Sequence, residues 1–495
     1  MKEISALGRL LAALTLITIS SSMLYSQVQL ERLPYSGGVL MSRAIQQGRV
    51  HRAGSVEDLV NSVGFLTCTA PCVFAPVRAS NAGSQPANEY PLAINRSNPL
   101  QLLTGANDYN CSNIQGFYAS SDGGNTWNHT CTKGSGGEGD PVTGYDLVGN
   151  AFSGGIQSGS FKIFTSTDNG STWSNPIQVT GPLLGYLADK PWMEIDDHSS
   201  SAMVNNIYYS GTQFSFASDS EISVSASSDH GQTWSTKAID TQQHFPTTVD
   251  QFSDIAIGDD GTVYVNWIRC PANGPAGDCG GTTTDIMFAK SSDGGATWST
   301  PTSITTTKLA PDACFCAFYG SLPNTSERVS DIPSNAADGS GSSARLYVTY
   351  YNWTGTMMQV MLIESNDGGA TWGNPVVVDP TSNQGDQFFP WVQIAAGGGR
   401  AVVTWLDRRN DPSNKKYQPF TAVAQNNGTG NGTTVLPSHV LDATLSDPTK
   451  DGFGGGFFGD YRSHVLDGKT IYANWPDTNF TGSTAQQGFG GGILK

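Results

Sequence analysis

Seven acidic residues recur at one position of a repeated pattern, each just ahead of a short apolar run. They are Glu89, Asp140, Asp189, Asp250, Glu327, Asp386 and Asp460. Crowded carboxylates raise one another's pKa, so one of them can keep a proton near neutral pH and act as a general acid. A short acid at the start of a strand can also accept backbone N–H bonds from a neighbouring strand. The repetition favours this structural role, and the two roles are compatible.

Arginines accompany several of these acids, although the chain holds only 26 lysines and arginines in 495 residues. They are Arg269, Arg328, Arg408, Arg409 and Arg462. A guanidinium fork binds a carboxylate or a sulfate through two parallel hydrogen bonds. These five are therefore candidate substrate-binding residues for an acidic ligand. The alternative is that each pairs with an acid of the chain itself.

Five copies of the pattern S-x-D-x-G-x-T-W, the Asp box, indicate which elements position these side chains. They span 120–127, 166–173, 227–234, 291–298 and 365–372, with the aspartates Asp122, Asp168, Asp229, Asp293 and Asp367. In such a pattern Asp accepts backbone N–H bonds across a hairpin turn, Gly supplies a positive φ and Trp begins the next strand. We interpret these five aspartates as structural rather than catalytic.

A looser repeat precedes the turns and contains the seven acids. Its best-defined copy, 250–269, alternates apolar residues on both sides of a turn at 259–261, as paired strands do. Seven copies predict an all-β fold, a seven-bladed β-propeller of four-stranded antiparallel blades, with six blades as the alternative. In a propeller the repeat starts and the second-strand ends meet at one mouth of the central channel, where the acids and arginines would converge.

The ends of the chain complete the predicted domain plan. Residues 1–26 have the charged start and short apolar stretch of an export signal. Residues 27–64 show no blade pattern; they are either a flexible leader or carry a short helix capped by 55–58. Residues 65–495 form the propeller, and 65–78 would supply the outer strand of the last blade, so that no sheet edge is left exposed.

Repeated Asp boxes on four-stranded blades resemble the sialidase superfamily, also called BNR-repeat proteins, over roughly 85–480. More narrowly, 88–95, 386–391, 405–411 and 459–461 resemble bacterial exported exo-α-sialidase-like proteins. The resemblance implies a glycoside hydrolase that acts on acidic glycans. In that family three arginines bind the sugar carboxylate, a Tyr paired with a Glu attacks the sugar, and an Asp serves as acid/base.

Transferred to this sequence, the resemblance makes Tyr461 the candidate nucleophile, with Glu327 or Glu89 as its activating base. Asp108 or Asp140 would be the acid/base. The arginine triad would be Arg328, Arg408 and Arg462. The family's early Arg-Ile-Pro signature is absent, and classical sialidases have six blades. The Asp box therefore predicts the fold more strongly than the reaction.

Two other functions stay open for the same mouth: a non-catalytic module that binds a glycan or a protein, and a lyase for uronic-acid polysaccharides. The seven histidines are scattered without an HExxH pattern, so a zinc hydrolase is not expected. No cofactor is predicted, although the abundant oxygen ligands, for example in the loop 254–260, would suit calcium.

Net charge and cysteine content restrict the expected binding partners and the expected compartment. A formal net charge of −16 argues against nucleic-acid binding, and we expect no membrane insertion once the signal is cleaved. Eight cysteines in an exported chain predict disulfides, and the nearest pairs are Cys68–Cys72, Cys111–Cys131 and Cys270–Cys279. The expected protein is secreted or periplasmic, with a glycan or glycoconjugate as its partner.

Overall fold

Seven antiparallel sheets form the blades of a β-propeller in the computed structural model, which describes residues 31–50, 72–313, 317–380, 385–394, 400–427 and 432–493. The predicted all-β class and the count of seven blades are confirmed, and the six-bladed alternative is wrong. In each blade the first strand of the repeat lies next to the channel and later strands lie progressively outward.

Within 31–50 and 72–86, one helix and two short strands precede the first blade: α1 (Gly37–Gln46), β1 (Cys72–Val73) and β2 (Val77–Arg78). Blade 1 contains β3 (Ala87–Asn88), β4 (Leu92–Ile94), β5 (Leu102–Asp108), β6 (Gln115–Ser120) and β7 (Asn128–Cys131). Blade 2 contains β8 (Gly137–Tyr145), β9 (Ala151–Gln157), β10 (Ser160–Ser166) and β11 (Ile177–Thr180). Blade 3 contains β12 (Leu187–Ile195), β13 (Ile207–Phe214), β14 (Ser220–Ser227) and β15 (Ser235–Ala238).

The remaining blades follow the same plan. Blade 4 contains β16 (Val249–Ile257), β17 (Val263–Cys270), β18 (Thr283–Ser291) and β19 (Thr302–Lys308). Blade 5 contains β20 (Ser334–Asp338), a 3₁₀ turn (Gly341–Ser343), β21 (Arg345–Trp353), β22 (Met358–Ser365) and β23 (Val376–Val377). Blade 6 contains β24 (Gln387–Ile394), β25 (Arg400–Asp407), β26 (Gln418–Asn426), β27 (Thr433–Val435) and β28 (His439–Val440). Blade 7 contains β29 (His464–Asp467), β30 (Thr470–Asp477) and β31 (Gln486–Ile493).

Two strands from ahead of blade 1 pair with the last strand of blade 7. Strand β1 pairs with β31 at Cys72 and Ile493, and β2 pairs with the same strand at Val77 and Phe489. Residues 72–78 therefore fill the outer position of the last blade and cover its edge. The remainder of the predicted closing strand, 65–71, lies outside the described residues.

Five inner strands share one irregularity where they meet the mouth. In blades 1, 2, 3, 4 and 6 the inner strand has one more residue than its partner between two paired positions, which is a β-bulge. A residue with positive φ lies in each bulge: Glu89, Asp140, Lys190, Phe252 and Phe389. Such a conformation costs a non-glycine residue on the order of 1–3 kcal/mol, and its repetition marks the mouth as the strained end of the channel.

The leader contributes α1, which packs on the propeller. The Ser36 hydroxyl accepts a hydrogen bond from the backbone N–H of Val39 and caps the helix. Val39, Leu40, Met41 and Ala44 are buried in the largest apolar core, together with residues of most blades. The leader is thus an ordered part of the fold over 31–50, while the expected helix cap at 55–58 lies outside the described residues.

Each Asp box forms a hairpin turn between the third and fourth strands. In all five, the Asp carboxylate accepts bonds from the backbone N–H and the hydroxyl of the Thr four residues later, at 2.5–2.9 Å. Three of the Trp rings pack on aromatic rings of the preceding blade: Trp127 on Phe489, Trp173 on Phe117 and Trp372 on Phe288. The carboxylates form hydrogen bonds within their own turns, and these three tryptophans pack between neighbouring blades.

Two of the expected disulfides are confirmed, Cys111–Cys131 and Cys270–Cys279, with Cα atoms 5.6 and 5.8 Å apart. Cys72 is also disulfide-bonded, whereas Cys68, Cys314 and Cys316 lie outside the described residues. Among the helices of the described ranges, none is long and apolar enough to cross a membrane.

We expect Asp229→Ala to lower the free energy of unfolding by about 1 kcal/mol, because it removes charge-assisted hydrogen bonds whose donors on Thr233 can then bond to water. Urea unfolding of the two proteins measures this difference. Thr233→Ser, which keeps the hydroxyl, serves as the matched control. Equal midpoints for Asp229→Ala and wild type would contradict the structural role of the carboxylate.

Candidate functional site

Four of the seven repeated acids come together with a lysine and a tyrosine at the channel mouth. We call this group the axial cluster: Glu89, Asp140, Asp189, Lys190, Asp460 and Tyr461. The six residues come from blades 1, 2 and 3 and from the segment that leads into blade 7, and residues from opposite blades can meet only at the channel axis. All six are buried, and the most exposed of them, Tyr461, shows 2% of its surface.

Glu89 and Asp140 form an acidic pair. Glu89 accepts bonds from the Asn107 amide at 2.7 Å and from the backbone N–H of Asp460 at 3.2 Å. Burial, and then the charges of Asp140 and Asp460, raise the pKa of Glu89 well above its usual range. Burial and the charge of Asp189 raise the pKa of Asp140 to about 7. The pair therefore keeps a proton at neutral pH.

Asp189 and Asp460 are bonded to side chains of blade 4 and of the loop ahead of blade 5, which do not reach the acidic pair. The Asp189 carboxylate accepts from the Gln251 amide at 3.0 Å. Asp460 accepts from the Arg328 guanidinium through two bonds of 2.8 and 3.0 Å and from the Ser330 hydroxyl at 2.9 Å. Proton-bearing and ion-paired carboxyl groups thus lie in one buried cluster.

Tyr461 lies between these acids and Lys190. Its hydroxyl donates to the carbonyl of Pro141 at 2.7 Å, and the Lys190 ammonium is 3.9 Å from the centre of its ring. Burial, and then the charges of Glu89 and Asp140, raise the pKa of the phenol well above its usual range. Burial lowers the pKa of Lys190 although the surrounding acids oppose that shift. The phenol stays neutral unless a base takes its proton.

Of the two candidate bases, Glu89 lies with Tyr461 and Glu327 does not. Glu327 is buried near Arg408 and Asp451, and a Cβ on Gly455 would come within 3.3 Å of its Oε1. Burial, and then the Asp451 charge, raise the pKa of Glu327 well above its usual range. Its environment is the loop that precedes blade 7, away from the contacts of the axial cluster.

Of the two candidate acid/base residues, Asp140 belongs to the cluster and Asp108 lies at the end of β5. Asp108 accepts bonds from the Tyr118 hydroxyl at 2.6 Å, from His129 at 2.9 Å and from the backbone N–H of Asn110 at 2.9 Å. Burial opposes ionisation, but the bonds from His129, Tyr118 and Asn110 outweigh it and lower the pKa of Asp108. Asp108 therefore holds the outer part of blade 1 together.

The five arginines are not gathered at one point, and acids of the chain engage four of them. Arg269 pairs with Asp250 and Asp240, Arg328 with Asp460, Arg408 with Asp386, and Arg409 with Asp407 and Asp379. Arg462 donates to the carbonyl of Asn474, and burial lowers its pKa to about 9. Its Nε and Nη2 reach no acceptor in the described part of the chain. The structure does not bring three free guanidinium forks together.

The segment 34–46 covers the axial cluster and separates it from solvent. In this segment the backbone N–H of Ser36 donates to Asp189 and that of Gly37 donates to Asp460. At the other end of the channel, on the Asp-box side, a cavity of about 510 Å³ is open. It is lined by polar side chains that include Arg96, Asp197, His198 and Asp338. The accessible opening of this chain is therefore not the mouth that the sequence pattern points to.

One triad of potential metal ligands occurs in the described ranges: Cys111, His129 and Cys131. The two cysteines are joined in a disulfide and offer no thiolate, so the group does not suit a metal ion. At the loop considered for calcium, Asp254 and Asp260 each accept backbone N–H bonds, from Asn335 and from Gly341.

Two components of the site carry no sequence signal that identifies them. Lys190 follows Asp189 inside the repeat, but Arg328 follows Glu327 at the same position, so a basic residue there does not distinguish Lys190. Asn107, on β5, donates to both Asn88 and Glu89 and accepts from the backbone N–H of Asp140 at 2.9 Å. Its place in the sequence does not mark it as part of the site either.

Comparison with known proteins gives distant likenesses only. No protein-family model matches the chain, and no curated protein sequence matches it. Among solved structures, the chain is similar to the Hadza microbial sialidase Hz136, with 16% identity over 68% of each chain and a TM-score of 0.42. It is also similar to the intramolecular trans-sialidase of Ruminococcus gnavus, with 13% identity over 69% of this chain and 93% of the other and a TM-score of 0.43.

A third similar structure is a PL25 ulvan lyase, with 13% identity over 68% of this chain and 80% of the other and a TM-score of 0.38. At these values the propeller assignment rests on the seven sheets of the chain itself. That assignment agrees with the fold that the Asp boxes and their sialidase-like arrangement implied.

The raised pKa of Asp140 makes stability depend on pH. Its folded pKa of about 7 exceeds the usual value of 3.8, so the folded protein binds more protons between these values and the free energy of unfolding falls as pH rises from 4 to 7. Asp140→Asn should reduce this slope by up to about 1.4 kcal/mol per pH unit, the value for one proton. Urea unfolding at several pH values measures it.

Buried Asp250, Asp254 and Asp477, with pKa values of about 8, 7 and 6, contribute to the same slope and remain in the variant. The test is therefore the difference between the slope of Asp140→Asn and the slope of the wild type, and neither slope is expected to be zero. Asp168→Asn, at an exposed turn, is the matched control and should leave the slope between pH 4 and 7 as in wild type. Identical slopes for Asp140→Asn and wild type would contradict the shift.

Proposed function

We propose that this chain is a carbohydrate-active propeller, a glycoside hydrolase of the exported type whose catalytic centre is the axial cluster. Glycosidic bond cleavage needs one carboxyl group that donates a proton and a second, ionised group that stabilises or attacks the sugar. The observation that supports the proposal is that the Glu89–Asp140 pair keeps a proton while Asp460, whose backbone N–H bonds to Glu89, is ion-paired with Arg328.

In the proposed mechanism Asp140 is the acid/base and Tyr461 is the nucleophile, activated by Glu89. A phenol with a raised pKa attacks only when an ionised base removes its proton during the reaction. In the reactive form the one proton of the Glu89–Asp140 pair lies on Asp140, so that ionised Glu89, the acid whose charge acts most strongly on the phenol, takes the phenol proton while Asp140 gives its own to the leaving group. Lys190, next to the ring, would stabilise the phenolate that forms. Neither Asp108 nor Glu327 has a role in this scheme.

The arginines do not favour an acidic sugar as the substrate. Acids of the chain neutralise Arg269, Arg328, Arg408 and Arg409, so these residues do not provide the carboxylate clamp of an enzyme for acidic sugars. The same pairing disfavours a uronic-acid lyase, which needs an arginine to neutralise the substrate carboxylate. A hydrolase for glycans that need no such clamp is the form we propose.

A non-catalytic binding module is the second candidate, and one observation favours it. The axial cluster is sealed in this structure, while the opposite end of the channel has an open cavity of about 510 Å³. A protein that binds a glycan or another protein through that end would need no reaction at the axis.

Hydrolysis of a panel of fluorogenic glycosides, with β-glucoside, β-glucosaminide and α-sialoside members, tests the proposal. We expect turnover of at least one member, with kcat about 10²- to 10⁴-fold lower in Asp140→Asn and in Glu89→Gln, the usual effect of losing a general acid or base. Activity of the wild type should fall as pH rises through 7, because Asp140 then loses its proton.

Tyr461→Phe separates the nucleophile from the acid/base, and Asp168→Asn is the control for a carboxylate far from the axis. Turnover that is unchanged in Tyr461→Phe removes the nucleophile assignment, and turnover unchanged in all three cluster variants removes the catalytic centre. Absence of hydrolysis throughout, with a glycan that binds in calorimetry, would establish the binding module instead.

A further inference from the structure

The segment 34–46 enters the mouth with its backbone donors directed at the axial acids. The N–H of Ser36 donates to Asp189 Oδ2 at 2.7 Å, and the N–H of Gly37 donates to Asp460 Oδ2 at 2.6 Å. These two carboxylates thus receive the first donors of a helix N-terminus, where the partial positive charge of the helix dipole also lies.

The propeller also donates back to the segment. The carbonyl of Pro34 accepts from the Gln251 amide at 3.0 Å and from the Tyr319 hydroxyl at 2.8 Å. The carbonyl of Tyr35 accepts from Arg328 at 3.1 Å. Donors and acceptors on both sides are matched, as they are when a ligand fills a polar site.

Two glycines permit this close approach. A Cβ on Gly37 would lie 2.0 Å from the Phe457 ring, and one on Gly38 would lie 2.3 Å from Asp140 Oδ1 and 3.0 Å from Glu89 Oε2. Any side chain at position 38 would therefore collide with the proton-bearing pair. The pattern Ser36-Gly37-Gly38 fits the backbone into the position that a substrate would occupy.

In the described part of the chain, Asp140 is the acid of the cluster that accepts no backbone N–H bond. It is fully buried beside Gly38, and its polar neighbours are the Glu89 carboxyl and the Ser36 hydroxyl. Neither of its oxygens accepts a backbone or amide N–H bond in the described ranges. A buried carboxyl directed at the covering segment is what a bound hydroxyl or amine would satisfy.

We propose that residues 34–46 are an intramolecular plug in the substrate position of the axial cluster, and that the ligand which displaces it is a glycan rich in O–H or N–H donors and uncharged or cationic, such as an amino-sugar oligomer. The identification of the ligand position rests on the proposed function. Departure of the plug removes the backbone donors of Ser36 and Gly37 from Asp189 and Asp460, so these carboxylates favour a ligand that brings donors of its own over an anionic sugar.

The plug also determines the fraction of protein molecules that can bind the ligand. It is held by the apolar residues of α1 and by the ion pairs of Arg32 with Asp278 and Asp312 at the rim. A ligand that binds only the open form has an apparent Kd equal to its intrinsic Kd divided by the open fraction. Loosening the plug therefore raises affinity and turnover together.

Hydrogen exchange of the full chain, followed by mass spectrometry, measures opening of the plug directly. Gly38→Ala should increase the exchange rate of peptides covering 37–46 by about tenfold or more, because its Cβ collides with Asp140. Ser36→Pro is the second variant: Ser36 has φ −58°, which suits proline, and the change removes the donor to Asp189. Gly373→Ala, whose Cβ would have its nearest neighbour at 3.6 Å, is the matched control.

The probes are a glucosamine trimer, cellotriose and 3′-sialyllactose. We expect the glucosamine trimer or cellotriose to increase exchange in 37–46 of the wild type and to bind Gly38→Ala about tenfold more tightly than wild type, with sialyllactose inactive. Displacement by sialyllactose alone would overturn the ligand class. Unchanged exchange and unchanged binding in both plug variants would overturn the plug.

These readouts are independent of turnover, so the two proposals can fail separately. If the trimer displaces the plug but no glycoside is hydrolysed even by Gly38→Ala, the plug and its ligand stand and the hydrolase proposal fails. If glycosides are hydrolysed and Glu89→Gln abolishes this, while both plug variants behave as wild type, the hydrolase proposal stands and the plug fails.

Discussion

Carboxylates buried at the axis of a propeller need positive partners, and this requirement determines much of the arrangement around the mouth. The inner-strand repeat gives an acid to every blade, and water is excluded from all of these acids. An uncompensated buried charge is costly, so each acid is paired, protonated or supplied with backbone donors. Toward the outside, Arg269 and Arg408 pair with Asp250 and Asp386. At the axis, Arg328, Lys190 and the start of α1 supply the compensation, and the Glu89–Asp140 pair keeps a proton.

The bulges shape the ends of five inner strands at the mouth. A regular strand alternates its side chains, whereas the extra residue in five inner strands shifts that alternation just where the strand meets the mouth. Glu89 and Asp140 lie in the bulges themselves and have positive φ. The long pairings between the second and third strands of each blade offset this strain. The blades are therefore regular, whereas the ends of the inner strands at the mouth are not.

Most of the fold could be predicted from the sequence, because its signals are local and repeated. Turn chemistry identifies the five Asp boxes, and alternation of apolar residues extends the count to seven blades. The approach of 72–78 to β31 follows from the need to cover an edge. The site could be predicted only as a ring. Its division into an axial and an outward group depends on which distant residues each acid meets, as Asp460 meets Arg328 and Asp250 meets Arg269, and the letters of the repeat do not encode these contacts.

The plug was beyond such prediction for a different reason. Ser36, Gly37 and Gly38 are typical of a loop, and α1 is short, carries no acid in its first turn and follows no repeat. It forms because its apolar residues and its first N–H groups have partners on distant blades. Lys190 likewise gains its role only from acids of other blades, such as Asp140, Glu89 and Asp460.

The pairing of the segments ahead of blade 1 with blade 7 has a consequence for the order of assembly. These segments supply the outer strand of blade 7, through β1 and β2, and the plug in the mouth, yet their partners β31 and Asp460 are synthesised only after blades 1–6. They must therefore wait while the intervening blades form, and the bond from Gly37 to Asp460 spans 423 residues. Such contacts form late in folding, because a long loop has to close first. A nascent or truncated chain that lacks blade 7 would accordingly expose its axial acids, and only the completed ring would conceal them.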